Sequence, residues 1–137
     1  TGAKVVHAAP NTYSNICSKS IAKSGGVGNY RGMVTFKKNA QGSKTNITCD
    51  SLILDDESSS DTIPYVEINC ENVDVGHEAR IGNISDEKIF YLQARGLSEE
   101  DAKALIVRGF AEEISKELPL EYAVEMNNLI NVEMQGL

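Results

Sequence analysis

Residues 73–81 read Val73-Asp74-Val75-Gly76-His77-Glu78-Ala79-Arg80-Ile81, and after Gly82-Asn83-Ile84-Ser85 the chain continues Asp86-Glu87-Lys88-Ile89-Phe90-Tyr91-Leu92-Gln93-Ala94. The hydrophobic period changes inside this stretch. Val73, Val75, His77, Ala79 and Ile81 alternate with Asp74, Gly76, Glu78 and Arg80, the period of a half-buried strand. From Asp86 onward the period becomes 3.6, with Ser85 placed to cap a helix over 86–94 and Gly96 placed for its left-handed terminus. The fold class is therefore mainly β followed by α, divided into residues 1–84 and 85–137.

Toward the N-terminus the strand signals continue. Tyr30, Gly32, Val34 and Phe36 share one face of an alternating segment, opposite Arg31, Met33, Thr35 and Lys37. Thr45 to Leu54 is β-branched and apolar with a looser alternation. Pro64 to Cys70 reads as a strand with proline at its first residue, where a missing N–H is tolerated. Ser24-Gly25-Gly26, Asn39 to Ser43 and Asp55 to Asp61 read as turns. Many short strands suggest a sandwich, a barrel or a β-solenoid, and no strict internal repeat separates the three.

Toward the C-terminus, Ser98 caps a second helix whose first turn is acidic, Glu99-Glu100-Asp101. Its apolar stripe is Ala104, Ile106, Val107, Phe110, Ala111 and Ile114, with Gly109 read as a close-packing position. Pro119 opens a third helix through Met134, with Tyr122, Ala123, Met126, Leu129, Ile130 and Met134 inward. These stripes read as core or partner-facing surface rather than a cofactor box.

The 137 residues are 41% hydrophobic with a net charge of −7, which fits one modest domain or one module of a larger protein. No apolar run approaches the roughly 20 residues that span a bilayer. The first residues lack both an initiator Met and the apolar core of a signal peptide, the expected character of an excised fragment. Residues 1–49 hold seven Lys/Arg and no acid, whereas residues 50–137 hold six Lys/Arg and all 20 acids. The basic residues are dispersed and thinly interleaved with aromatics, which argues against nucleic-acid binding.

Three cysteines, Cys17, Cys49 and Cys70, form no CxxC pair, and the odd count favours a reducing compartment. Cys17 and Cys70 read as structural, and His7, among Val5, Val6, Ala8 and Ala9, as packed. Cys49, His77 and Glu78 are the candidate metal ligands, because thiolate and imidazole suit zinc, copper and iron–sulfur centres. Strict alternation puts His77 and Glu78 on opposite faces, unless Gly76 permits a bulge that brings them together. A thiol hydrolase built on Cys49 and His77 lacks a helix N-terminus to activate the sulfur. Neither GxxxxGK[ST] nor GxGxxG occurs, so nucleotide binding by those loops is excluded. A metal-bearing scaffold, a metal-free solenoid interaction module and a thiol enzyme are all open at this level.

Tyr30-Arg31-Gly32, Cys49-Asp50-Ser51, Pro64-Tyr65, His77-Glu78-Ala79, Phe90-Tyr91-Leu92, Arg95-Gly96 and Leu118-Pro119 with Glu121 together resemble the C-terminal part of the SufB family, scaffolds of the SUF iron–sulfur cluster assembly machinery. The resemblance covers nearly the whole chain in consistent order. The sister family SufD tends to carry His-Gly-Ala in place of His77-Glu78-Ala79 and lacks the Cys-Asp-Ser element, so a SufD-like paralogue is the less fitting reading. The resemblance implies the last turns of a right-handed parallel β-helix, followed by a three-helix tail that docks a SufC-type ABC ATPase. It implies a SufD-type partner on the β part, and Cys49 and Glu78 holding a nascent iron–sulfur cluster at that interface, with His77 as a neighbouring candidate. It implies a non-enzymatic role in the bacterial cytoplasm or a plastid-type organelle. A cut solenoid end further implies that the fragment forms a homodimer through its raw strands.

Overall fold

The computed structural model describes residues 1–135. Among the described residues six strands precede three helices: β1 (Gly2–His7), β2 (Tyr13–Ala22), β3 (Val27–Phe36), β4 (Lys44–Ile53), β5 (Ser59–Ile68), β6 (Asp74–Asn83), α1 (Asp86–Gln93), α2 (Glu99–Glu117) and α3 (Leu120–Gln135). The chain divides into two compact units, Thr1–Gly82 and Asn83–Leu137. Strands followed by three helices is the class expected from the change of period.

In the first unit successive strands alternate between two three-stranded sheets, ordered β1-β3-β5 and β2-β4-β6. The β1–β3, β3–β5 and β2–β4 pairs are parallel. Tyr13 faces Lys44 and Ala22 faces Ile53, without a slip across the full length of the pair. The corners repeat as well. Asn11, Gly42 and Asn72 all adopt left-handed backbone. Asn11 donates its N–H to the Gln41 carbonyl at 2.9 Å, and Gly42 donates to the Asn72 carbonyl at 2.8 Å. Asparagine tolerates this conformation and glycine adopts it freely. Gly42 has a second reason, since a Cβ there would overlap the Asn11 side chain.

The core lies between the sheets and comprises Ile16, Tyr30, Val34, Phe36, Ala40, Ile47 and Cys49. β3 buries Tyr30, Gly32, Val34 and Phe36 as the alternation predicts. β4 alternates more strictly than its sequence suggests, burying Thr45, Ile47, Cys49 and Ser51. Polar members of this inward row are paired. Ser14 Oγ lies 2.7 Å from Thr45 Oγ1, and Ser20 Oγ lies 2.7 Å from Ser51 Oγ.

β5 begins at Ser59, so Pro64 stands inside a strand and not at its start. Register explains the tolerance. Ser59 and Asn69 donate toward β3, so the N–H groups of even-numbered residues point to the other side. Pro64 takes one of those slots on an edge strand, where no ladder bond is lost.

In the second unit, α1 ends in a Schellman terminus: Leu97 donates to the Leu92 carbonyl and Gly96, at φ +97, to that of Gln93. Ser98 Oγ accepts from the Asp101 N–H and donates to the Asp101 carboxylate. α2 buries Ala102, Ala104 and Val107. Three expectations fail here. Gly109 is exposed, and a Cβ added there would meet nothing within 4 Å, so it is not a close-packing residue. Tyr122 and Leu129 are exposed on α3, while Ala123, Met126, Asn127, Ile130 and Met134 turn inward. Ile114, on α2, is also exposed.

Candidate functional site

Cys49 sits in the middle strand of β2-β4-β6 and points into the core with 2% of its surface exposed. Burial, aided by Asp50 and Cys17, pushes its thiol pKa up, and a hydrogen bond from Thr62 opposes the shift. In the resting fold the sulfur is a protonated thiol with one donor beside it. Tyr30 shares the core cluster, and its hydroxyl is buried with no hydrogen-bond partner among the described residues. Such an unpaired group costs about 1–3 kcal/mol.

Glu78 lies on the neighbouring strand but on the other face. Its Oε1 accepts from Arg80 at 2.7 Å, two residues along β6 and so on the same side. The Arg80 guanidinium is favoured by Glu78 and by Asp50, whose carboxylate meets Lys19 on the outer face of β4. Asp50 and Cys49 are consecutive and point oppositely. Cys49 and Glu78 are thus brought to adjacent strands, with the sulfur inside and the carboxylate outside.

His77 is exposed, although Val75 on the same strand and Val73 just before it pack on the core. The alternation holds, but β6 is the last strand of its sheet and its C-terminal half lacks cover. β6 runs unbroken from Asp74 to Asn83. Gly76 serves a close approach instead of a bulge, since a Cβ there would stand 2.9 Å from Asn46 Oδ1. Among the described residues no three His, Cys, Asp or Glu groups are gathered to hold a metal ion.

The other cysteines separate. Cys70 packs against the core, whereas Cys17 is exposed on the outer face of β2 beside Thr48. Cys17 is therefore not an interior structural residue. His7 is packed as expected: its ring stacks on Phe36 at 4.5 Å between centroids, with Nδ1 2.6 Å from Thr12 Oγ1 and Nε2 2.9 Å from Ser14 Oγ.

Sequence reasoning missed Tyr30 and Thr62 as neighbours of the sulfur, and the outer row Lys19, Asp50 and Arg80. One signal for the latter was present. Asn15-Ile16-Cys17-Ser18-Lys19-Ser20 and Asn46-Ile47-Thr48-Cys49-Asp50-Ser51 are imperfect copies that fall in register, with their paired side chains 31 residues apart.

The family model for the SufBD core domain of SUF-system iron–sulfur cluster assembly matches residues 1–110. The chain belongs to the SufBD family. It is 57% identical over 135 residues to iron–sulfur cluster assembly SufBD family proteins of Staphylococcus haemolyticus and Staphylococcus saprophyticus. It is 56% identical over 135 residues to the iron–sulfur cluster assembly protein SufB of Bacillus subtilis. In each case the match covers 98% of this chain and 29% of the relative. The family expected from the residue pattern is the family found. The family's description is SUF-system iron–sulfur cluster assembly, and among the described residues no helix is long and apolar enough to cross a membrane.

Proposed function

We propose that this chain is the part of a SufB-type scaffold where a nascent iron–sulfur cluster is held at an interface with a SufD-type partner and then passed on. The observation that carries the reading is the placement of Cys49 and Glu78 on adjacent strands of one sheet, β6 being the last of that sheet. Cys49 supplies the thiolate and Glu78 the carboxylate, with His77 beside it as a further ligand. The cluster is cargo. A site with one thiolate and harder oxygen or nitrogen donors holds it less firmly than four thiolates, which suits release.

The alternating parallel strands support a right-handed parallel β-helix, the hand that strand twist favours for parallel connections. Its last strands, β5 and β6, leave Ile63, Tyr65, Ile68 and Ile81 exposed. That surface suits the SufD-type partner, or a second copy of this chain when the unit is alone. The helical unit docks a SufC-type ATPase in the cytoplasm. Leu120, Tyr122, Leu129 and Val132 on α3, with Phe90 and Tyr91 on α1, give it an apolar surface for that contact.

Burial of Cys49 adds a step. The sulfur must be uncovered before it meets iron, and rigid-body motion driven by the ATPase would displace β6 from β4. Anaerobic reconstitution of the full-length protein with iron and sulfide, in the presence of both partners, tests the reading by absorption spectroscopy. Cluster formation that depends on Glu78 and Cys49 is expected. Equal formation with both replaced would leave a metal-free interaction module as the better description.

A further inference from the structure

Tyr30 carries a hydroxyl that the resting fold leaves unused. The residue is 7% exposed, and Oη has no hydrogen-bond partner among the described residues. Buried tyrosines ordinarily find one, so the exception calls for a reason. The backbone is cleared for this ring. A Cβ on residue 32 would lie 2.8 Å from Tyr30 Oη and 2.9 Å from Cε1, and Gly32 alone leaves that space.

The register points the same way. Tyr30 on β3 pairs with Thr62 on β5, in the sheet opposite β4, and hydrogen bonding by Thr62 draws the Cys49 thiol pKa down against the effect of burial. Tyr30 and Cys49 belong to one buried cluster. Burial opposes ionisation of the phenol, and charge on the Cys49 sulfur adds to that. β4 supplies the sulfur, while β3 and β5 supply two hydroxyls from the opposite sheet.

We propose that Thr62 and Tyr30 are positioning residues for sulfur at Cys49, Thr62 at rest and the Tyr30 phenol as a donor held for the electron-rich sulfur of an iron-bound Cys49. This rests on the scaffold reading above. Hydrogen bonds to ligand sulfur stabilise the more negative state of a cluster and set its potential. A partnerless phenol in the same buried cluster as the ligand position gains its partner when sulfur charge builds up.

The test uses the full-length protein with its partners, reconstituted anaerobically with iron and sulfide, as wild type, Tyr30→Phe, Thr62→Val and Cys49→Ser. Thermal midpoints of the unloaded protein, the rate of absorbance loss to an iron chelator, and the reduction potential are read. Tyr30→Phe is expected to leave the unloaded midpoint equal or higher, because it deletes an unpaired hydroxyl. It is expected to speed cluster loss roughly 3- to 10-fold, the equivalent of one hydrogen bond, and to make the potential more negative. Thr62→Val is expected to act in the same direction. Cluster lifetime and potential unchanged in Tyr30→Phe would overturn the donor role, as would a fall in midpoint and lifetime together, which marks a packing defect. Cys49→Ser separates the levels. If it holds cluster like wild type, the scaffold reading fails and this inference with it. If it loses the cluster while Tyr30→Phe behaves as wild type, only the donor role falls.

Discussion

The Lys19 ammonium lies 3.2 Å from the Asp50 carboxylate, 31 residues away in the chain and directly across the β2–β4 pair. Only 12% and 15% of the two side chains are exposed, and Asp50 Oδ1 has no hydrogen-bond partner among the described residues. The pair fixes the outer face of the sheet next to the strand position that turns Cys49 inward. Lys19→Ala removes the ion-pair partner of a largely buried carboxylate and is expected to cost about 1–3 kcal/mol. Urea unfolding measures it, and a double-mutant cycle with Asp50→Ala is expected to return a favourable coupling energy.

His7 gives the unit a pH dependence with a definite sign. Burial lowers its pKa from 6.5, so the folded state keeps the ring neutral between Thr12 and Ser14. In the unfolded chain the ring takes up its proton at about pH 6.5. Between the depressed folded value and about 6.5 the unfolded state binds more protons, so stability rises with pH. The contribution is complete above about pH 6.5 and is lost as pH falls below it. Urea unfolding from pH 7.5 to pH 5 is expected to show this loss, and His7→Gln to remove that part of the slope.

Gly32 and Gly76 both sit under a side chain, with different expected consequences. At Gly32 an added Cβ meets the ring of a buried tyrosine at 2.8–2.9 Å, and the core has no slack to yield. Gly32→Ala is expected to cost about 1–3 kcal/mol, and less in a Tyr30→Leu background. At Gly76 the obstacle is the end of the exposed Asn46 side chain, which turns aside. Gly76→Ala is expected to stay within about 1 kcal/mol of wild type. Chemical denaturation of the four variants checks the contrast.

Gly109 is the opposite case. It lies inside α2, exposed, with nothing near the space its side chain would take. Gly109→Ala is expected to stabilise the helical unit by about 0.5–1 kcal/mol through helix propensity. Circular dichroism melting would register it as a higher midpoint.

How far the chain discloses itself differs between its two units. The switch from period two to period 3.6 after Ile81, the cap at Ser98 and the stop at Gly96 are local signals, and local signals suffice for helices. The outward turn of Tyr122 and Leu129 was not legible, because an apolar helix offers more than one stripe and only the packing of its neighbours selects one. In the β unit the alternation of Tyr30, Gly32, Val34 and Phe36 announced a buried face. The number of sheets and the pairing did not show, since parallel partners lie a whole circuit apart. The related runs around Ile16 and Ile47 carried that register, but substitutions within the six positions hide it from a search for strict repeats. Cys49 and Glu78 were legible as chemistry. Their opposite faces became visible only once Asp50, Arg80 and Glu78 were seen to share the outer surface.

In the proposed function the Cys49 sulfur, sealed at rest, is uncovered to receive its cargo. Site-resolved alkylation in the complex with both partners tests this most directly, with exposed Cys17 as the internal reference. Cys49 is expected to be protected without nucleotide and labelled during ATP turnover, while Cys17 labelling stays constant. Protection of Cys49 that persists unchanged through turnover would contradict it.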